Sequence, residues 1–137
     1  MPTVDEARAF VAANHQAVLI TRRSSGSVQS SPVTVGIDGD GKVVISSRAT
    51  AYKVRNLRRD PHAVLCVFTD NFFGPWLQVE GAAELVSLPE AMDGLVDYYR
   101  RISGEHPDWD DYRRAMVRDR RLLIRVSIDQ VGPTRHG

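Results

Sequence analysis

Short strand-like segments joined only by turns constrain the fold of this chain most. Residues 17–21 form a compact apolar run, and the polar residues 22–26 after it mark a turn. Residues 28–37 alternate like a strand, and residues 42–47 return after Asp38-Gly39-Asp40-Gly41. Asp-Gly pairs favour tight hairpins because they supply the positive φ that such turns need. Strands linked in this way pair antiparallel, so the sequence predicts a mainly antiparallel sheet.

Three further strand patterns complete the predicted sheet. Residues 63–69 are nearly all apolar, which predicts a strand buried on both faces. Residues 76–86 and 122–128 alternate apolar and polar positions, as half-buried strands do. Closure into a small barrel removes exposed sheet edges. The prediction is therefore one cofactor-binding domain over residues 1–137, mainly β with peripheral helices, built as a six-stranded antiparallel split β-barrel.

Helix and edge signals refine this prediction. Thr3 with Glu6, and Ser87 with Glu90, have the spacing of capping boxes and predict two helix starts. Another short helix is predicted over residues 51–59, ending before Pro61. Pro32 has no N–H to donate, so its strand should lie at a sheet edge or be irregular there. Residues 132–137 are predicted to be a loose end.

Composition limits the compartment and the partners. The formal net charge is +1, which gives no global case for nucleic-acid binding. No stretch approaches the roughly 20 apolar residues of a membrane span, and the acidic start is unlike a secretory signal. Cys66 is the single cysteine, which excludes an internal disulfide and suits a reducing environment. We therefore expect a cytoplasmic protein with neither membrane nor nucleic-acid partners.

Familiar catalytic patterns are missing from the sequence. It has no glycine-rich phosphate loop and no nucleophile elbow. The histidines are scattered without metal-ligand spacing, so no metal site is predicted. Cys66 stands in an apolar strand, where a free cysteine behaves as a small hydrophobe. No catalytic residue is assigned.

The basic segment, residues 46–61, is the strongest candidate site. It combines Ser46 and Ser47 at a strand end with Lys53 and four arginines. A helix start with hydroxyls and a lysine can hold a phosphate, because its N–H groups and dipole favour an anion. Lys53 and Asn56 are three residues apart and should share a helix face. A solvated basic helix is an equally good interpretation of the composition alone.

Three pieces of sequence resemble a known family. They are Arg55-Asn56-Leu57-Arg58-Arg59-Asp60-Pro61, the pair Glu80-Gly81, and the run from Tyr98-Tyr99-Arg100 to Gly104-Glu105-His106-Pro107-Asp108-Trp109-Asp110-Asp111-Tyr112-Arg113. Together they resemble the pyridoxamine 5′-phosphate oxidase-like split-barrel proteins. Within these the chain is most similar to the B-type flavin/deazaflavin oxidoreductases, in an actinobacterial subgroup of coenzyme F420-dependent enzymes.

The resemblance implies a homodimer with two cofactor sites at the interface. By position, Lys53 matches the lysine that holds the cofactor phosphate, and Ser46 and Ser47 match strand-end neighbours. Residues 29–33 match the strand beside the cofactor ring. Ala51 departs from the basic or hydroxylated residue frequent in relatives, which loosens the phosphate assignment. The predicted cofactor-binding residues are Lys53, Ser46, Ser47, Ser30, Ser31, Pro32, Val33, Asn56 and, from the partner subunit, Trp76 and Gln78.

The implied activity is hydride transfer from reduced coenzyme F420 to an electron-poor small molecule. One alternative is an FMN-dependent oxidoreductase, although the end of the chain lacks the Arg-Leu-x-Pro of true pyridoxamine phosphate oxidases. Another is a carrier or sensor that binds F420 without turnover. Arg55, Arg58 and Arg59 are suited by charge to the acidic oligoglutamate tail of F420.

Overall fold

Groups of two to four consecutive strands are separated by one or two helices along the chain. The computed structural model describes residues 2–136, except for the side chains of residues 135 and 136. The helices are α1 Val4–Ala13, α2 Tyr52–Arg59, α3 Met92–Ser103 and α4 Trp109–Arg118. The strands are β1 Gln16–Arg22, β2 Val28–Thr34, β3 Gly36–Ile37, β4 Val43–Arg48, β5 His62–Phe68, β6 Pro75–Val86, β7 Arg121–Val126 and β8 Gln130–His136.

One curled antiparallel sheet forms the body of the molecule. Its strand order is β2-β1-β5-β6-β7-β4-β3, and β8 also pairs with β6. The first part of β6 pairs with β5 and β8, and its second part pairs with β7. This long strand therefore joins the two halves of the sheet. The predicted mainly β, antiparallel split barrel is confirmed, with eight strands in place of six.

The strand count differs because two strands lacked a clear pattern. The short β3 is separated from β2 by Val35, whose N–H donates to the carbonyl of His15. Residues 130–136 form β8, so the predicted loose end from residue 132 is wrong over residues 132–136, and residue 137 lies outside the described residues. Thr134 Oγ1 donates to the carbonyl of Trp76 at 2.7 Å. Hydrogen bonds to β6 hold this mostly polar strand in place. Its sequence therefore has no apolar alternation by which a strand could be predicted.

The sheet edge and the inner face follow the sequence pattern closely. β2 is an edge strand, as Pro32 predicted. β5 is buried on one face only: Ala63, Leu65 and Val67 lie in the core, and Val64, Cys66 and Phe68 are half-buried. The prediction of burial on both faces is therefore wrong for this chain. The half-buried residues belong to the outer face, the surface of β1, β2, β5 and β6 that points away from the core.

Two apolar clusters lie on opposite sides of the part of the sheet that contains β4 and β7. The main core lies inside the curl and includes Leu19, Leu65 and Ile124. The second cluster lies between α3, α4 and the opposite side of β4 and β7, where Leu95 and Leu123 are buried. Among residues 2–136, no helix is both long and apolar enough to cross a membrane.

The two predicted helix starts had different outcomes. The Thr3 capping box is confirmed, because Thr3 Oγ1 and Glu6 Oε1 each accept a backbone N–H at 3.1 Å. The Ser87 capping box is wrong, since α3 begins at Met92. A cap at Ser87 would make Leu88 helical directly before Pro89, and proline disfavours helical geometry in the preceding residue.

A salt-bridge cluster fixes the predicted hairpin turn to the sheet. The guanidinium of Arg125 on β7 donates to Asp38 at 2.9 Å, to Asp40 at 2.7 Å and to Glu84 at 2.9 Å. Burial raises the pKa of the Asp38 carboxyl, but the backbone amides of Lys42 and Asp40 and the Arg125 guanidinium lower that pKa more, so the net shift is downward. Arg125 on β7 therefore fixes the turn that leads into β4, the strand that carries Ser46.

Candidate functional site

A cleft opens where the first turn of α2 meets β2 and β4, with α3 and α4 forming the opposite wall. Its volume is about 680 Å³, within the roughly 300–1,000 Å³ typical of small-molecule sites. The residues that line it are Gln16, Ala17, Pro32, Val33, Thr34, Ser46, Lys53, Phe68, Tyr98, Tyr99, Tyr112, Met116 and Arg121.

Four of the predicted cofactor-binding residues meet in this cleft. Lys53 lies in the first turn of α2, and Ser46 lies on β4. Pro32 and Val33 reach the cleft from the edge strand β2. Residues of β2, β4 and α2 thus surround one space.

Ser47 points away from the cleft. Neighbouring residues of a strand face opposite sides, and of this pair only Ser46 lines the cleft. Ser47 is 2% exposed, and its hydroxyl donates to the carbonyl of Arg48 at 3.1 Å. Ser47 lies on the core side of β4, where its partner on β7 is the buried Leu122.

Asn56 also lies outside the cleft. Its Nδ2 donates to Thr21 Oγ1 at 3.1 Å, and that hydroxyl donates to Gln29 Oε1 at 3.4 Å. Asn56 and Thr21 are both buried. This chain of hydrogen bonds attaches α2 to the sheet, because buried polar groups need partners.

The other predicted residues are distributed over both faces of the sheet. Ser31 stands opposite Leu19 in the ladder and therefore faces the core; its Oγ is buried with no hydrogen-bond partner among the described residues. Ser30, Trp76 and Gln78 lie on the outer face. The prediction places Trp76 and Gln78 in the cofactor site of a second subunit, and an outer-face position is compatible with that arrangement.

One end of the cleft is strongly cationic. Burial lowers the pKa of the Lys53 ammonium, and the nearby Arg121 guanidinium lowers it further. Arg121 Nε is buried and has no hydrogen-bond partner among the described residues. No aspartate or glutamate is among the lining residues of the cleft. Two neighbouring cations without a carboxylate, one with a buried free donor, form a site that suits an oxyanion such as phosphate.

The other wall of the cleft is aromatic. Tyr98 donates its hydroxyl to the carbonyl of Thr34 at 2.8 Å, and Tyr112 donates to the carbonyl of Leu95 at 2.9 Å. Burial raises the pKa of both phenols, that of Tyr112 to about 12. Tyr99 packs 5.1 Å from Tyr112 between ring centroids. Tyr98 and Tyr112 therefore stay neutral near pH 7, and the three rings together offer a largely apolar aromatic surface.

Several cleft residues were missed by the sequence reasoning. Tyr98, Tyr99 and Tyr112 belong to the run that carried the family resemblance, but they received no role. Arg121 gave no signal, because it ends a stretch in which Arg118 and Arg120 also occur. Gln16, Thr34, Phe68 and Met116 reach the cleft only through strand pairing and helix packing.

A second polar recess lies on the other side of α2. We call this 290 Å³ space the arginine recess. Its lining residues are Arg23, Ser24, Gln29, Tyr52, Arg55, Asn56 and Arg59. The guanidinium of Arg55 lies 5.7 Å from the ring centroid of Tyr52, and Arg59 donates to the carbonyl of Arg22. Arg58 is exposed and does not line the recess.

The arrangement suits placement of a ligand better than covalent catalysis. Among the lining residues of the cleft are neither a cysteine nor a histidine. A cationic end and an aromatic wall fit a planar ligand that carries a phosphate. Binding and orientation are the functions that these side chains can perform.

Comparison with known proteins identifies the family and the fold. The family model described as pyridoxamine 5′-phosphate oxidase matches residues 3–135. A conserved hypothetical protein from Mycobacterium tuberculosis is 23% identical, with a TM-score of 0.77, and the match covers 96% of this chain and 83% of that chain.

Two further solved structures share the fold at lower identity. A protein described as an F420 reductase is 18% identical with a TM-score of 0.67, and the match covers 95% of this chain and 96% of that one. An FMN-binding protein from Nostoc punctiforme, described as related to pyridoxamine 5′-phosphate oxidase, is 14% identical with a TM-score of 0.68; the match covers 96% and 83% of the two chains. At such identities the likeness establishes the fold.

Proposed function

Because the chain belongs to the pyridoxamine 5′-phosphate oxidase family, we propose that it is an oxidoreductase that uses coenzyme F420 to reduce an electron-poor small molecule. The proposal rests on one observation: two cations, Lys53 and Arg121, lie close together at one end of an aromatic cleft. A flavin-type cofactor has the matching shape, with a phosphate at one end and a flat ring at the other.

The residues of the cleft fit such a cofactor. Lys53 and the free Nε of Arg121 would hold its phosphate, and Ser46 would supply a neighbouring hydroxyl. The wall of Tyr98, Tyr99 and Tyr112 would flank the ring and exclude water. When bound, the reduced cofactor supplies the hydride, so the protein need only position its ring against the acceptor. Correct apposition of two reactants can lower a barrier by roughly 7–11 kcal/mol.

The arginine recess favours F420 over FMN. F420 extends beyond its phosphate into an oligoglutamate tail, whereas FMN ends there. Lys53 faces the cleft, and Arg55 and Arg59 on the same helix face the recess. The eight residues of α2 span about 12 Å, a distance that a few extended residues of about 3.5 Å each can follow. Charge spacing suggested Arg55, Arg58 and Arg59 for the tail. The recess is lined by Arg55, Arg59 and Arg23, and not by Arg58.

A titration with F420 and with FMN tests the proposal. We expect F420 to quench the fluorescence of Trp109, which packs 5.8 Å from Tyr99, and to bind more tightly than FMN. Changing Arg55 and Arg59 together to glutamine should weaken F420 binding about 3- to 10-fold and flatten its salt dependence, because exposed ion pairs are individually weak. The matched control is Arg58→Gln on the same helix, and FMN affinity should not change in either variant.

Three outcomes of this titration have distinct meanings. A protein that binds FMN and ignores F420 would show that the cofactor assignment is wrong. Tight F420 binding with no oxidation of the reduced cofactor by any of a broad set of acceptors would identify a carrier or sensor. Equal salt dependence in all variants would remove the arginine recess from the cofactor site.

We also propose that the protein is a homodimer that associates through the outer face. This face carries apolar side chains in adjacent ladder positions, among them Val18, Ile20, Val64, Cys66 and Trp76. Beside it, Phe72 and Phe73 are 71% and 73% exposed. Large contiguous apolar patches on soluble proteins generally mark interaction surfaces.

Sedimentation velocity of two variants tests the dimer. Val64→Arg should convert the dimer to a monomer, because it places a charge in the centre of the apolar face. Ala12→Arg is the control, since Ala12 is exposed on α1. A wild-type monomer at tens of micromolar, or a dimer that survives Val64→Arg, would contradict this arrangement.

A further inference from the structure

An apolar recess lies beside the cationic end of the cleft and is separate from it. We call this space of about 590 Å³ the side recess. It lies between the segment that enters α3, the end of α4 and the beginning of β7. Its lining residues are Ala49, Ser87, Leu88, Pro89, Met92, Val117, Arg120, Arg121 and Leu122. Its size is within the range of small-molecule sites.

The wall of the side recess is apolar and partly open to water. Leu88 and Met92 are half-buried, and Val117 is 61% exposed. Val117 is one of a few large apolar residues with more than half of their surface exposed among the described residues. Apolar area left in contact with water in a concave site favours binding of an apolar group.

Two arginines give the side recess a cationic rim. No carboxylate of the described residues pairs with Arg120 or Arg121. By contrast, Arg118 at the end of α4 pairs with Asp119 at 3.4 Å. The buried Nε of Arg121 has no acceptor among the described residues. Unpaired guanidinium groups beside an apolar surface are complementary to a carboxylate with an apolar body.

The backbone holds Arg120 at this rim in an uncommon conformation. Its φ is 52°, the one positive value at a non-glycine residue in the described part of the chain. The N–H of Arg120 donates to the carbonyl of Val117 at 3.1 Å, and its own carbonyl accepts the N–H of Ala49 at 2.9 Å. This is the conformation that commonly ends a helix, here α4, and the two hydrogen bonds hold Arg120 between the end of α4 and Ala49.

We propose that the side recess binds an apolar monocarboxylate, with its hydrocarbon or aryl body against Leu88, Met92 and Val117 and its carboxylate on Arg120. This site is distinct from the cofactor cleft, although Arg121 borders both spaces. Arg120 lines the side recess and not the cleft, so the proposal does not depend on which cofactor the cleft holds.

Methionine methyl NMR of the cofactor-free protein can test the proposal with decanoate as the probe. Met92 lines the side recess and Met116 lines the cleft, so the two methyl signals distinguish the two sites. We expect decanoate, below its micellar concentration, to shift the Met92 signal saturably and to leave Met116 unchanged. Decanol should bind about tenfold more weakly or worse, because it lacks the charge that Arg120 recognises.

Variants give a second, independent measurement. Arg120→Gln should lower decanoate affinity about tenfold, whereas Arg118→Gln, whose guanidinium is already paired, should leave it unchanged. Unchanged backbone amide spectra would show that both variants fold. Any of three results would overturn the proposal. They are a Met92 signal that shows no saturable shift, binding of decanol as tight as that of decanoate, and a Met116 signal that shifts before the Met92 signal does. None of these results bears on cofactor binding, which the Lys53 variants test separately.

Discussion

A Lys53→Ala variant is expected to bind its flavin-type cofactor about 10- to 100-fold more weakly than the wild type. The reason is loss of a charge-assisted hydrogen bond to phosphate, which is worth roughly 1.5–3 kcal/mol. Arg121→Gln should lose a similar amount, because Arg121 is the other cation at this end of the cleft. Fluorescence titration of each variant at fixed ionic strength measures the loss.

Arg48→Gln is the matched control for both variants. Arg48 stands in the same basic segment and is exposed, but it does not line the cleft. Its loss should change affinity less than twofold. If Lys53→Ala and Arg121→Gln both bound the cofactor with undiminished affinity, the phosphate site would be elsewhere and the proposed function would lose its main support.

The pH dependence of binding follows from the same pair. Burial and Arg121 lower the pKa of Lys53 in the free protein, and a bound phosphate would favour the charged ammonium. Affinity should therefore be highest below the lowered pKa of Lys53 and should fall as the pH rises through it. This loss begins at a lower pH than for an ordinary lysine, and it should disappear in Lys53→Ala.

The sequence was sufficient to predict the sheet because its signals are local. The Asp-Gly turn, Pro32 at an edge and the alternation in residues 76–86 each depend on neighbouring residues, and the structure has a strand or turn at each. β8 was missed because its residues are mostly polar and pair with β6 through long-range hydrogen bonds. Strand pairing between distant segments leaves no periodic trace in either one.

The candidate site was only half visible in the sequence for a similar reason. Lys53 and Ser46 stand near each other in sequence, so the basic segment drew attention to them. Arg121 reaches them because β7 pairs with β4 and brings Arg121 opposite Arg48. Asn56 does not join Lys53 in the cleft, because its amide is bonded to Thr21, which helical spacing alone does not show. Composition does not distinguish a cation that faces a cleft from one in solvent.

Gly81→Ala should be the most destabilising single-methyl change in the sheet. A Cβ at Gly81 would lie 1.5 Å from the carbonyl oxygen of Ser127 and 2.6 Å from its carbon. Both obstacles are backbone atoms, so no side-chain rotation can relieve the overlap. The Ser127 N–H donates to the carbonyl of Ala82 at 3.1 Å, which holds the exit from β7 against β6. Relief of the clash therefore requires this contact to open.

We expect Gly81→Ala to lower the free energy of unfolding by about 3–5 kcal/mol and the melting temperature by roughly 10–20 °C. Gly39→Ala is the control, because a Cβ there would meet only the flexible end of Arg101, at 3.8 Å. Thermal and urea unfolding of both variants measures the difference. A Gly81→Ala protein that melts within a few degrees of the wild type would show that β6 and the exit of β7 approach less closely than described. This approach lies where β6 passes from pairing with β5 to pairing with β7.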